Sequence, residues 1–226
     1  RARQSRQAAA AKLLGIEAAQ VTALRITQSG SVYELQRTGD RWRMERPQTA
    51  PCDPRVIGAF LDTLASARRE DTVGRGNLAK YGLETPTAVV EITAGGSTRR
   101  LALGSINPLQ TLVYALVDDS KSVVLTSSAL LTQALTSSFG WRDKRMIDTD
   151  AAPLGRLVIR TPRDGTLAVR RGPIGLWITE GEVPWRVDPV RLSSALQVLA
   201  KLEGIGVAAE HKAELGAFGL DRRSFG

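Results

Sequence analysis

The residues of this chain best suited to chemistry are its one cysteine, its one histidine and a few close carboxylate pairs. Cys52 stands in Pro51-Cys52-Asp53-Pro54, just before a predicted helix. A helix N-terminus lowers a thiol pKa, so an activated thiolate is one reading. A small, partly buried residue that happens to carry sulfur is the other, and it is the one adopted. A lone cysteine makes neither an intramolecular disulfide nor a thiolate metal cage. His211 lies in Glu210-His211-Lys212, polar on both sides. A general base needs a pocket and an orienting partner, so His211 is expected to be a surface residue.

Asp148 and Asp150 would share one face of an extended strand. Such a pair could hold a divalent cation or serve a hydrolase, but a cation site needs further oxygen ligands, and none stands nearby in sequence. Glu180 and Glu182 flank Gly181 and raise the same question. Both pairs are expected to be solvated turn residues. Gly74-Arg75-Gly76 and Gly204-Ile205-Gly206 lack the third glycine of a dinucleotide loop and follow predicted helices. The sequence has no G-x-x-x-x-G-K-[ST] run and no G-x-S-x-G elbow. Trp42 and Trp177 could stack a sugar or peptide, but packing against a sheet face is the expectation. Trp141 and Trp185 receive no role. The expectation is therefore no catalytic residue, no metal site, no cofactor and no enzymatic activity.

The elements that would carry these residues come from a chain of 226 residues, 42% hydrophobic and 24% charged. Those values fit a globular protein and exclude a disordered or collagen-like one. Surface scaling lets roughly 25,000 Å² be buried on folding, enough for a core without staples. No run approaches the roughly 20 apolar residues of a membrane-spanning helix. The net charge of +8 invites a nucleic-acid reading. Half of that excess, however, sits in Arg1, Arg3, Arg6 and Lys12, and the rest is scattered in pairs such as Arg99-Arg100. Aromatic residues are only 5%, too few for base-stacking platforms, so no nucleic-acid partner is expected.

The chain repeats itself. Trp42 and Asp53-Pro54 recur as Trp177 and Asp188-Pro189 at an offset of 135 residues. At that offset Ile57, Leu61, Leu64 and Ala65 meet Leu192, Leu196, Leu199 and Ala200. Leu78, Tyr81, Gly82 and Leu83 meet Leu215, Phe218, Gly219 and Leu220 at an offset of 137. Alternating runs at 21–27, 31–37 and 41–45 read as strands of a meander, as do 154–160, 166–171 and 176–179. Each meander precedes a helix opened by Asp-Pro, with Gly74 and Gly204 expected at or just after its end. Four further strands (87–93, 98–103, 111–117 and 122–125) and a helix at 127–135 follow only the first copy. The predicted fold class is α+β, an internally duplicated unit of antiparallel strands with a packed helix, the second copy incomplete. The expected domains are a basic N-terminal stalk (1–20), a first repeat (21–150) and a truncated second repeat (151–226). More chain is expected to follow residue 226.

The order Trp42, Asp53-Pro54, Tyr81-Gly82-Leu83-x-x-Pro86 and Leu101-x-Leu-Gly104 resembles the bacterial family called domain of unknown function 4340. Val113-Tyr114-Ala115, Val123-Val124-Leu125 and Arg142-Asp143-Lys144-Arg145 extend the likeness. The resemblance implies a periplasmic, membrane-anchored envelope protein, its anchor one N-terminal helix absent from these residues. It also implies a link to ABC-type transport systems of the gliding-motility kind, and it brings no catalytic residues. The expected function is a non-enzymatic extracytoplasmic accessory module that binds an envelope protein, such as a transporter subunit. The alternative is a domain for cell-wall glycan or peptide, using Trp42, Trp177 or Trp185.

Overall fold

The computed structural model describes residues 12–74, 77–118, 120, 122–147, 154–161, 165–172, 174–208 and 212–218. It divides into two compact units, Arg1–Asp143 and Lys144–Gly226. The division falls after Asp143.

Unit 1 is built on a nine-stranded antiparallel sheet in the order β4-β3-β2-β1-β6-β7-β8-β9-β5. Its first meander is β1 (Val21–Gln28), β2 (Ser31–Thr38) and β3 (Arg41–Arg46), with β4 (Ala50–Pro51) at the edge. Then come α1 (Pro54–Ser66), β5 (Asp71–Gly74) and the second meander: β6 (Ala88–Ala94), β7 (Ser97–Ile106), β8 (Leu112–Val117) and β9 (Val123–Ser127). Helices α2 (Ala129–Ala134) and α3 (Ser138–Trp141) close the unit. Period-2 alternation puts Leu24, Ile26, Leu35, Met44, Val90 and Ile92 on one buried face. The two meanders join through β1 and β6, where Leu24 pairs with Ile92 and Ile26 with Val90.

Helix α1 starts where Asp53 accepts the Arg55 N–H at 2.8 Å, and Pro54 fills the first helical position. Its buried stripe is Ile57, Phe60, Leu61 and Leu64, each contributing about 1.5–3 kcal/mol by leaving water. The helix ends at Ser66, well before Gly74. Gly74, at φ +91°, instead ends β5, so it is not a helix stop. Sequence periodicity overlooks β4 and β5, of two and four residues, because runs that short carry no readable alternation.

Residues 12–20 do not form a stalk. Lys12 bridges Arg68, Leu13 N–H donates to the Ala67 carbonyl at 2.7 Å, and Leu13, Leu14 and Ile16 are buried in the core. Residues 12–17 lack a helical stripe because they form no helix and pair instead with the chain just after α1; a single 3-10 turn follows at Ala18–Gln20. The remainder of the expected stalk, residues 1–11, lies outside the described residues.

Unit 2 contains a three-stranded antiparallel sheet, β10 (Arg156–Thr161), β11 (Gly165–Arg171) and β12 (Trp177–Thr179), in that order. Helix α4 (Pro189–Ala200) follows, capped by Asp188, which accepts from the N–H groups of Val190 and Arg191. Arg145 bridges Glu203, and Met146 N–H donates to the Leu202 carbonyl at 2.9 Å. The architecture is thus mixed α and β, with a large antiparallel sheet and four α-helices among the described residues. No helix among the described residues is long and apolar enough to cross a membrane.

Candidate functional site

Cys52 is buried, and its N–H donates to the Trp42 carbonyl at 3.0 Å. Burial first, and the negative charge of Glu45 second, push the thiol up to about 12. Beside it, the Arg55 guanidinium bonds both Asp53 oxygens and holds that carboxyl below the usual aspartate range. Cys52 is therefore packing, not nucleophile. At pH 8 it carries roughly a thousandfold less thiolate than a free cysteine. Iodoacetamide is expected to leave the folded chain unlabelled and to add one group after unfolding in urea. Rapid labelling of the folded chain would overturn this assignment.

Glu180 accepts two bonds from Arg156, at 2.8 and 2.7 Å, which lower its pKa. Glu182 is exposed. Glu182 is thus solvated as expected, whereas Glu180 is tied to Arg156 and its N–H donates to the Ala168 carbonyl at 2.8 Å, prolonging β12 rather than forming a turn. His211, Asp148 and Asp150 lie outside the described residues. No group of three or more His, Cys, Asp or Glu side chains arranged to hold a metal occurs among the described residues.

The four tryptophans have separate fates. Trp42 is buried in the unit 1 core and cannot serve as a binding platform. Trp141, which has no role on sequence grounds, is the largest fully buried side chain, tilted against Phe60 at 5.4 Å between ring centres. A capping serine is its available signal: Ser137 accepts from the Gly140 N–H and turns α3 inward. Trp185 is 69% exposed.

Trp177 is half-buried and lines a groove of about 460 Å³ in unit 2, beside α4. Leu192, Leu196 and Ala200 line the helix side, with Ser193 and Gln197 as its polar groups. The Arg171 guanidinium lies 5.6 Å from the Trp177 ring centre and donates through Nε to the Leu154 carbonyl at 3.2 Å. An aromatic wall held by a cation, opposite aliphatic side chains, suits a flat or aliphatic group with a few polar atoms. Among the described residues that line the groove there is no nucleophile–base pair.

Two of the sequence motifs meet in unit 1. Tyr81-Gly82-Leu83 closes a short 3-10 helix at Gly82, with φ +67°, and passes directly over Gly104 of β7. A Cβ on Gly104 would overlap the Tyr81 carbonyl oxygen, so two backbones touch where neither residue can carry a side chain. The Tyr81 ring also packs, tilted, against Tyr114 at 4.6 Å between ring centres.

A protein-family model described as "Domain of unknown function (DUF4340)" matches residues 42–223. The chain belongs to this family. The DUF4340 match begins at Trp42 and extends into both units, so the Gly82–Gly104 contact and the residues lining the Trp177 groove lie inside it. No curated protein and no solved structure matches the chain.

Proposed function

We propose that this DUF4340 chain is built from two copies of one structural unit and works as a non-enzymatic interaction module outside the cytoplasm. Its partner is an envelope protein, with a subunit of an ABC-type transport system the leading candidate. Matched hydrogen bonds support the duplication. Cys52 N–H donates to the Trp42 carbonyl and Val187 N–H to the Trp177 carbonyl. Arg37, opposite Trp42, donates to the Ala19 carbonyl; Arg171, opposite Trp177, donates to the Leu154 carbonyl. The bridges Lys12–Arg68 and Arg145–Glu203 stand at the same places in the two units.

One observation carries the interaction reading. Part of the meander face that is buried in unit 1 is open in unit 2, where the cross-strand pair Ile159 and Leu167 is exposed. Exposed apolar surface of this kind marks a binding face. The test is affinity capture of the protein from gently solubilised native membranes, with mass spectrometry of what accompanies it. Reproducible recovery of one envelope protein, lost when Ile159 and Leu167 are changed to Ser, is the expected result. Recovery of this protein alone would sink the reading.

The Trp177 groove favours a second reading, a site for cell-wall glycan or peptide. Tryptophan emission that responds to added muropeptides, with no protein captured, would place it first.

A further inference from the structure

We propose that the outer edge of β10 is a strand-addition site for an extended segment of another polypeptide. That segment runs antiparallel, apolar opposite Leu157 and Ile159 and acidic opposite Val158. The proposal names the partner chemistry of the interaction module and rests on that reading.

An open edge strand offers unpaired N–H and C=O groups, and proteins protect themselves by keeping edges short or covered. Unit 1 does so, ending in β4 and β5, of two and four residues. In unit 2 the outer side of β12 is taken: Thr179 N–H donates to the Trp185 carbonyl and Val187 N–H to the Trp177 carbonyl, both at 2.9 Å. Strand β10 has six residues, holds no proline and pairs only with β11 among the described residues. Arg171 N–H donates to the Gly155 carbonyl at 2.9 Å, which sets the ladder's phase. By alternation, the N–H and C=O groups of Arg156, Val158 and Arg160 point away from β11.

Unit 1 provides the template for an occupant. Its pairs Leu24–Leu35 and Ile26–Tyr33 correspond to Leu157–Val169 and Ile159–Leu167. The other edge of β1 is filled by β6, with Ile92 opposite Leu24, Glu91 opposite Arg25 and Val90 opposite Ile26. With that neighbour present, Ile26 and Tyr33 are buried; Ile159 and Leu167 are 42% and 51% exposed.

Charge selects the segment. Arg156, Val158 and Arg160 share the outer face of β10, and Arg170 stands opposite Arg156. Glu180 already holds Arg156. An acid opposite Val158 stands diagonally between Arg156 and Arg160, within reach of both long side chains. A second copy of β10 paired about Val158 would instead set Arg156 opposite Arg160, and like charges directly opposite repel. The occupant is therefore a different, acidic strand.

The probe is a labelled peptide carrying residues 87–94, which includes Val90, Glu91 and Ile92, titrated against the whole chain by fluorescence anisotropy. Saturable binding is expected. Val158→Pro removes one outward N–H, which an edge strand tolerates, and is expected to weaken binding about tenfold or more. Glu91→Lys in the peptide is expected to do the same without touching the protein. Absence of binding, or binding indifferent to both changes, overturns the proposal. So does an exchange-protected Val158 amide without peptide, which means the chain covers its own edge, or self-association lost in Val158→Pro. If Val158→Pro still captures the envelope partner at full yield, the edge proposal fails while the module reading stands. Peptide binding with no partner captured supports the edge and sinks the module reading.

Discussion

Replacing Trp141 by alanine is expected to cost unit 1 about 3–5 kcal/mol, the range for removing a large buried aromatic. Trp141 has no solvent-exposed surface and contacts Phe60 of α1. Its carbonyl accepts the Asp53 N–H at 2.9 Å, so the same residue also anchors the approach to α1. The truncation leaves a cavity walled by α1 and α3, and the nine-stranded sheet cannot collapse into it. With a urea m-value of about 2 kcal/mol/M, the midpoint falls by roughly 1.5–2.5 M. Trp141→Phe is expected to cost much less. Trp141 Nε1 has no acceptor among the described residues, so the smaller ring sheds a desolvation penalty as it loses contact area. A loss below about 1 kcal/mol for Trp141→Ala would mean that Trp141 does not close this core.

The second large effect is expected at Gly104. Its own φ lies outside the left-handed region, so alanine suits the backbone there and the penalty is purely one of space. The added Cβ meets the Tyr81 carbonyl oxygen and, at 3.0 Å, the carbonyl carbon and oxygen of Gly82. These are backbone atoms of a turn held by Gly82 N–H to the Ala79 carbonyl and Leu83 N–H to the Leu78 carbonyl, at 3.1 and 2.9 Å. No flexible side chain is there to yield, so β7 or the turn must move. Overpacking of this kind costs about 1–3 kcal/mol, a fall in Tm of roughly 2–12 °C for a chain of this size. Gly58 gives the opposite control. It lies inside α1, where an added Cβ would find nothing within 4 Å, and Gly58→Ala is expected to raise stability by roughly 0.5–1 kcal/mol. Equal effects at Gly58 and Gly104 would refute the steric account.

Much of the local structure is legible because its causes are local. Asp53-Pro54 and Asp188-Pro189 each open a helix, since one aspartate satisfies orphan N–H groups and the proline lacks a donor that would have gone unused. Gly95-Gly96, both at positive φ, turn β6 into β7 as their freedom from a Cβ predicts. Residues 12–16 mislead because a short apolar cluster without helical spacing looks like the end of a basic stalk until its pairing partner at Ala67 and Arg68 is known. Trp141 escapes notice for a similar reason: a four-residue helix has no periodicity to display.

The candidate site is less legible than the fold. Trp42 and Trp177 occupy the same place in their meanders, yet one is core and the other lines a groove. Nothing within either motif distinguishes them. The difference is in what packs over them.

By itself, the sequence determined the longer strands and helices, their order along the chain, the repeated Asp-Pro helix starts and the family. These follow from propensities, caps and turns that act over a few residues. Only the tertiary structure decided that β1 and β6 join two meanders into nine strands, that Gly82 and Gly104 touch, and that β10 pairs with β11 alone among the described residues. A two-residue alternation says which face of a strand is apolar but not which strand lies beside it. That choice is made between segments tens of residues apart, by the summed burial and hydrogen bonding of the whole sheet.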